Sequence, residues 1–235
     1  MSDDIKTILA ASPETIAEGR GILSRLWRLT LSYVKISYNR WEVLMDNYIN
    51  VISQDLPPAT AQNLKGNLLR ALCEQDLTWA NIVKGIVILN PDAAYIDFNL
   101  EKEGDMASYT VSIPTVKQIK DKGDTYNLET ITQTVSNLKA VWCDIKENFS
   151  KTKSWNELLD EYSAQEYNKM EMLGENSDKK TRSSIKSRIN KSLNREEISW
   201  RSFIIGLSVL GVEKLHIKLK LESLRSFEIN LSVKL

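Results

Sequence analysis

Histidine is almost absent from this chain, whose 235 residues include a single one, His216. A zinc site usually needs three or four convergent ligands, and neither this histidine nor the two cysteines stand at metal-ligand spacing. His216 takes a polar position in an alternating segment, which favours a solvated strand residue. The sequence also lacks Walker and dinucleotide glycine loops and a nucleophile elbow. We therefore expect no metal, no cofactor and no enzymatic activity.

Cysteine is nearly as scarce, with Cys73 and Cys143 as the only two. Two cysteines without a pairing framework fit a reducing cytoplasm, and we interpret both as packing residues. The first residues, Met-Ser-Asp-Asp-Ile-Lys, are too acidic for a secretory signal. No apolar run approaches the roughly 18 residues that cross a bilayer. We expect no membrane contact.

What the sequence does contain is an internal repeat. Trp41, Leu44, Asp46 and Tyr48 recur 114 positions later as Trp155, Leu158, Asp160 and Tyr162. Further on, five positions recur 121 residues later: Leu72 and Leu193, Thr78 and Ser199, Trp79 and Trp200, Gly85 and Gly206, Leu89 and Leu210. Trp27 and Trp142 complete the six tryptophans. Since each copy must repeat one packing solution, we predict an internal duplication.

Apolar residues at spacings of three and four predict about four helices in each copy. In the second copy the stripe from Leu128 to Phe149 predicts one long helix. Thr78 and Ser199 stand where helix N-caps belong, each just before a tryptophan. Gly85 and Gly206 lie inside the short helices that follow. Glycine costs about 1 kcal/mol there relative to alanine, which suggests close packing against another backbone.

A β-hairpin closes each copy. Ala94, Ile96, Phe98 and Leu100 alternate with polar residues, and Leu215, Ile217, Leu219 and Leu221 do the same. An isolated hairpin is marginal in water. The two hairpins therefore either join into one four-stranded antiparallel sheet about a pseudo-twofold axis, or each packs on its own helices. The predicted fold is an internally duplicated α+β protein, divided into an arm (1–12), a first lobe (13–114), a linker (115–126) and a second lobe (127–235).

Part of the first copy resembles a group of uncharacterised proteins from tailed bacteriophages, over roughly residues 38–100. The resemblance depends on Arg40-Trp41, Leu44-Met45, Tyr48, Gly66-Asn67-Leu68, Leu72, Thr78-Trp79, Lys84-Gly85 and Leu89, followed by a hairpin. In the second copy Ser187-Arg188-Ile189 replaces the Gly-Asn-Leu triplet and Ile205 replaces the lysine. The group has no established activity. The resemblance implies a viral origin and a location in the host cytoplasm or the virion.

Two acids recur at matching positions, Asp46 and Asp160. Two aspartates related by pseudosymmetry could form a carboxylate dyad. The alternative is a charge on the wet side of a helix or a cap for a neighbouring helix. Asp46 falls off the stripe of Trp41 and Tyr48, so the structural interpretation is favoured.

The chain has no net charge, yet its halves differ. Residues 1–114 hold 10 lysines and arginines against 14 acids, and residues 115–235 hold 21 against 17. Complementary halves could associate head to tail, although divergence between duplicated copies explains the difference more simply. The excess is concentrated in residues 178–195, where one acid, Asp178, stands among seven basic residues: Lys179, Lys180, Arg182, Lys186, Arg188, Lys191 and Arg195.

This basic segment is the strongest functional signal in the sequence. On a helix Ile185, Ile189 and Leu193 form a dry stripe, with Arg188, Lys191 and Arg195 on the far side. Such a face can bind phosphates. However, no aromatic residue stands among the basic ones to stack on bases.

We therefore predict a non-enzymatic structural or protein-interaction protein, a bacteriophage virion or assembly component that acts as an oligomer. The terminal hairpin, which runs to Leu235, and the arm, with Ile5, Ile8 and Leu9, are its candidate contact points. The alternative is a nucleic-acid-binding accessory protein that uses residues 179–195.

Overall fold

The computed structural model describes residues 6–9, 16–35, 37–53, 56–73, 77–115, 128–149, 153–172, 181–222 and 227–235. The helices in these residues are α1 (Ile16–Val34), α2 (Tyr38–Ile52), α3 (Pro58–Leu72), α4 (Trp79–Leu89), α5 (Leu128–Phe149), α6 (Trp155–Met172), α7 (Arg182–Leu193) and α8 (Trp200–Val209). The strands are β1 (Lys6–Leu9), β2 (Ala93–Lys102), β3 (Asp105–Ile113), β4 (Lys214–Glu222) and β5 (Phe227–Lys234). The predicted α+β class is confirmed.

All five strands belong to one sheet, in the order β1-β5-β4-β2-β3. The pairs β2–β3, β2–β4 and β4–β5 are antiparallel, and the pair β1–β5 is parallel. The two hairpins join through β2 and β4, with Asp97 directly opposite Lys218 near the middle of that pair. Of the two arrangements that the sequence leaves open, the structure has the single sheet.

The alternating sequence gives this sheet one dry face and one wet face, because successive side chains of a strand point to opposite sides. Ile96 and Phe98 of β2 and Ile217 and Leu219 of β4 are fully buried on the dry face. Helices cover the dry face at both ends of the sheet: α1 contacts β5, and α5 contacts β3. The wet face carries the charged residues of the same strands.

The two short helices that precede the hairpins begin at the predicted caps. The Thr78 hydroxyl accepts a hydrogen bond from the backbone N–H of Asn81 at 3.2 Å, and Ser199 does the same for Ser202 at 3.1 Å. Each cap therefore satisfies an N–H group that has no partner inside its helix.

Gly85 and Gly206 are packed tightly, as predicted, but the neighbour is different. A Cβ on Gly85 would lie 2.8 Å from Cη2 of Trp27, and one on Gly206 would lie 2.6 Å from Cη2 of Trp142. The expectation of another backbone is wrong. Each glycine instead makes room for an indole ring, because a flat aromatic side chain can fill the space that a missing side chain leaves.

The cysteines are not packing residues, since Cys73 and Cys143 are both free and exposed. Cys73 follows the last residue of α3. Cys143 follows the buried Trp142 on α5 and points away from the stripe that continues with Ile145. The periodic pattern of α5 therefore already contained the reason why Cys143 lies outside the core.

The N-terminal strand covers part of one sheet edge. Its residues pair with the first half of β5, from Lys6 opposite Phe227 to Leu9 opposite Asn230. This segment thus pairs with its own chain, and the expected clasp on a partner stays a prediction. The rest of the arm, including Ile5, and the predicted helix start at Ser12-Pro13 lie outside the described residues, as does most of the linker. The division into two lobes stays a prediction.

Candidate interaction surfaces

The basic segment folds as the helix α7, anchored on one side. Thr181 caps it in a capping box with Ser184, whose hydroxyl accepts a hydrogen bond from the Thr181 N–H. Ile185, Ile189 and Leu193 are buried. The predicted dry stripe is therefore confirmed, and it holds the opposite face of the helix in a fixed direction toward solvent.

The seven basic residues do not form one surface. Lys179 and Lys180 lie outside the described residues. Two others contact α6: the Arg182 guanidinium donates to Asn168 at 3.3 Å, and the Lys186 ammonium lies 2.6 Å from Asp160. The other three, Arg188 and Lys191 on α7 and Arg195 just after its end, are exposed and have no carboxylate partner among the described residues.

Two acids reduce the field of this face. Glu196 and Glu197 follow Arg195 directly, and both are exposed. In 0.15 M salt the screening length is about 8 Å, so that neighbouring opposite charges still act on the same ligand. The net positive charge near this face is therefore smaller than the net charge of residues 178–195.

The repeated aspartates form ion pairs rather than a dyad. Asp46 lies 2.6 Å from the Lys65 ammonium, and Asp160 lies 2.6 Å from the Lys186 ammonium. Lys65 also contacts Glu42 at 3.0 Å, and the hydrogen bond that its ammonium donates to Asp46 raises the pKa of Lys65. Each aspartate thus joins the second helix of its half to the third, which matches the structural interpretation.

The wet face of the sheet presents paired charges to solvent. Lys214 contacts Glu101 at 2.9 Å, and the Lys218 ammonium contacts Glu228 at 2.9 Å. The hydrogen bond from Lys214 lowers the pKa of Glu101. His216 lies on this face with its side chain 35% exposed, 3.7 Å from Glu101. It is the solvated strand residue that the sequence predicts.

The outer edge of β3 is the surface that sequence reasoning missed. β3 is the last strand of the sheet, and no other described strand pairs with its outer side. Its nine residues pair with β2 in unbroken register, from Asp105 opposite Lys102 to Ile113 opposite Ala94. From Met106 to Ile113 the strand contains no charge and no proline. That neutral run was the available signal, because natural edges usually carry lysine, proline or a bulge.

A polar cleft of about 290 Å³ lies between the turn after β2, the middle of α6 and the end of α8. Lys102 and Tyr162 line it, as do Lys153 and Glu161, which pair with each other at 2.7 Å. The Lys102 ammonium donates to the Leu210 carbonyl at 2.9 Å. Burial raises the pKa of Tyr162 from its ordinary value of 10.0 to about 12. Both lysines that line the cleft are thus already bonded to other groups of the same chain.

The described residues contain no group of three or more histidine, cysteine and acidic side chains arranged to hold a metal ion. Among the described helices none combines the length and the apolarity needed to cross a membrane.

Comparison with known proteins gave no match: no family model fits the chain, and neither a curated protein nor a solved structure is significantly similar to it.

Proposed function

We propose that this chain is a non-enzymatic structural or protein-interaction protein that works as an oligomer. With the resemblance of residues 38–100, we assign it to a bacteriophage virion or its assembly, and expect it in the host cytoplasm or the virion. The observation that carries the proposal is the β3 edge, nine residues long and unpaired on its outer side among the described residues. An edge of this kind is a template for pairing with another chain.

The proposal includes an internal duplication about a pseudo-twofold axis, and the register of the central strands supports it. Ile96 lies opposite Leu219, and Phe98 lies opposite Ile217. In the repeat of 121 residues, Ile96 corresponds to Ile217 and Phe98 to Leu219. The repeat therefore converts the Ile96–Leu219 pair into the Phe98–Ile217 pair. A twofold axis through the Asp97–Lys218 pair would have the same effect.

Packing across the two halves supports the same axis. Helix α1 of the first half contacts α8 and β5 of the second, while α5 of the second half contacts α4 and β3 of the first. The pairs Gly85–Trp27 and Gly206–Trp142 also correspond in the repeat. A fused pair of this kind has a large shared core, and its surface differs mainly where the copies have diverged.

Mass measurement by light scattering, over a range of protein concentrations, tests the proposal directly. We expect a species heavier than 26.8 kDa, the mass of one chain. A monomer at every concentration that also fails to bind nucleic acid would overturn both the proposal and its alternative.

The alternative function is nucleic-acid binding through the exposed face of α7. The observation in its favour is that Arg188 and Lys191 are exposed on a helix whose other side is buried, and that Arg195, two residues after the helix ends, is exposed as well. Phosphate contacts by about three cations predict a binding constant that falls with roughly the third power of salt concentration.

Reversing Arg188, Lys191 and Arg195 to glutamate tests this alternative. The matched control reverses Arg28, Arg40 and Arg70, which are exposed elsewhere and change the net charge equally. Fluorescence anisotropy with labelled DNA and RNA should show loss of binding for the first variant only. If wild type shows no salt-dependent binding, or if both variants lose it equally, the face of α7 is not a nucleic-acid site.

A further inference from the structure

We propose that two copies of this chain pair through their β3 strands, antiparallel about a twofold axis, so that one sheet continues into the next. The inference rests on the proposed function of an oligomeric interaction protein and adds the contact surface and the partner. In a symmetric dimer the same patch of both copies meets, so β3 has to be complementary to itself.

The first requirement is an edge that is free and regular. β3 keeps one-to-one pairing with β2 over all nine residues, without a bulge that would twist its outer side away. This regularity leaves the hydrogen-bonding groups on the outer side of β3 in line for another strand.

The opposite edge of the sheet is protected. β1 forms this edge beside the first four residues of β5, from Phe227 to Asn230, and it begins with Lys6. The rest of β5, beyond β1, carries Lys234. Lysine on an edge is a common protection against pairing, because a neighbouring strand would have to bury its charge. Of the two edges that the described strands form, only that of β3 contains no lysine.

Charge favours a second copy of β3 as the occupant. The only charge in the strand is Asp105 at its first residue. In a fully overlapped antiparallel pair the two Asp105 carboxylates lie about 27 Å apart, eight steps of the strand rise. This separation exceeds the screening length of about 8 Å in physiological salt. The remaining eight residues bring no like charges together.

The same register places Tyr109, the middle residue of β3, opposite its own copy. Tyr109 is half-buried, and its hydroxyl accepts a hydrogen bond from the Asn148 amide of α5 at 3.1 Å. A cross-strand pair of tyrosines would lie above α5 of each copy. Aromatic pairs across antiparallel strands add to the stability of the ladder.

The test is sedimentation velocity on the full chain and on the double variant Ser108→Lys, Thr110→Lys. Both side chains are exposed, so the variant should fold, which circular dichroism and the unfolding midpoint will verify. In the proposed register the new lysines face each other twice. We expect the dimer dissociation constant to rise about tenfold or more, since opposed like charges destabilise a strand pair.

The matched control, Ser183→Lys with Ser187→Lys, adds the same charge at two exposed positions of α7, and we expect its dimer to persist. If wild type dimerises and the β3 variant dimerises equally well, this inference is overturned while the proposed function stands. Equal loss of the dimer in the control would show an effect of charge alone and would likewise overturn the inference. A wild-type monomer at all concentrations would overturn both proposals.

Discussion

Two ring carbons of Trp142 lie 2.6 Å from the position that a Cβ on Gly206 would occupy. The equivalent distances from Gly85 to Trp27 are 2.8 and 3.0 Å, so the first half is slightly less crowded. We expect Gly206→Ala to lower the free energy of unfolding by about 1–3 kcal/mol, because overpacking costs more than the helix gains from alanine. Gly85→Ala should cost somewhat less. Urea unfolding measures both.

Gly66 offers the control for these substitutions. It lies in the middle of α3, and apart from the neighbouring backbone of the helix no described residue stands within 4 Å of an added Cβ. Gly66→Ala should raise the free energy of unfolding by about 0.5–1 kcal/mol. Equal effects at Gly66 and Gly206 would show that the indole rings do not set the requirement for glycine.

The two capped helices begin with tryptophans whose ring nitrogens are in different situations. The Trp200 Nε1–H donates to the Gly19 carbonyl at 2.9 Å. The Trp79 Nε1 is buried and has no hydrogen-bond partner among the described residues. We expect Trp200→Phe to cost about 1 kcal/mol more than Trp79→Phe, because only the former removes a hydrogen bond. Chemical unfolding of the two variants gives the comparison, and a larger cost at Trp79 would contradict it.

Buried tyrosines should make the protein sensitive to alkali. Burial raises the pKa of Tyr48 from its ordinary value of 10.0 to about 12. Between these values the unfolded chain has lost a proton that the folded chain keeps, so stability is present below pH 10 and falls as the pH rises. The slope is about 1.4 kcal/mol per pH unit for this group.

Unfolding midpoints of wild type and Tyr48→Phe, measured from pH 9 to 12, test this slope. The variant removes the titrating hydroxyl and should flatten the decline, while the remaining decline includes Tyr162, whose pKa is also about 12. Parallel curves for the two proteins would mean that Tyr48 ionises normally in the fold.

The ion pairs between the second and third helices should matter little for stability. The Asp46 and Asp160 side chains are 53% and 63% exposed. We expect Asp46→Asn and Asp160→Asn each to cost no more than about 1 kcal/mol, and less at high salt, because water and ions screen exposed pairs. Thermal unfolding at low and high salt measures this. A loss of several kcal/mol would indicate a different role for these acids.

Local features were predictable from the sequence. Thr78 and Ser199 were recognisable as caps because a cap depends on the few residues that follow it. The buried stripe of Ile185, Ile189 and Leu193 and the alternating strands follow from periodicity, since one buried face requires it.

Long-range features were not predictable in this way. Periodicity says that Phe98 faces the core but does not say that Ile217 of the other hairpin lies opposite. The same limit explains Gly206, whose neighbour Trp142 is distant in the sequence. The candidate site was partly visible: the dry side of α7 was predicted, but the pairing of Lys186 with Asp160 depends on how two helices meet.

The pairing of β2 with β4 has a consequence for biosynthesis. A ribosome completes Lys102, the last residue of β2, about 110 residues before it reaches Lys214, the first of β4. At roughly 5–20 residues per second, the central strand waits about 6–22 s for its partner. During that time one whole side of the hairpin can pair with other nascent chains. We therefore expect the yield of folded protein to depend on chaperones and on how crowded the translating ribosomes are.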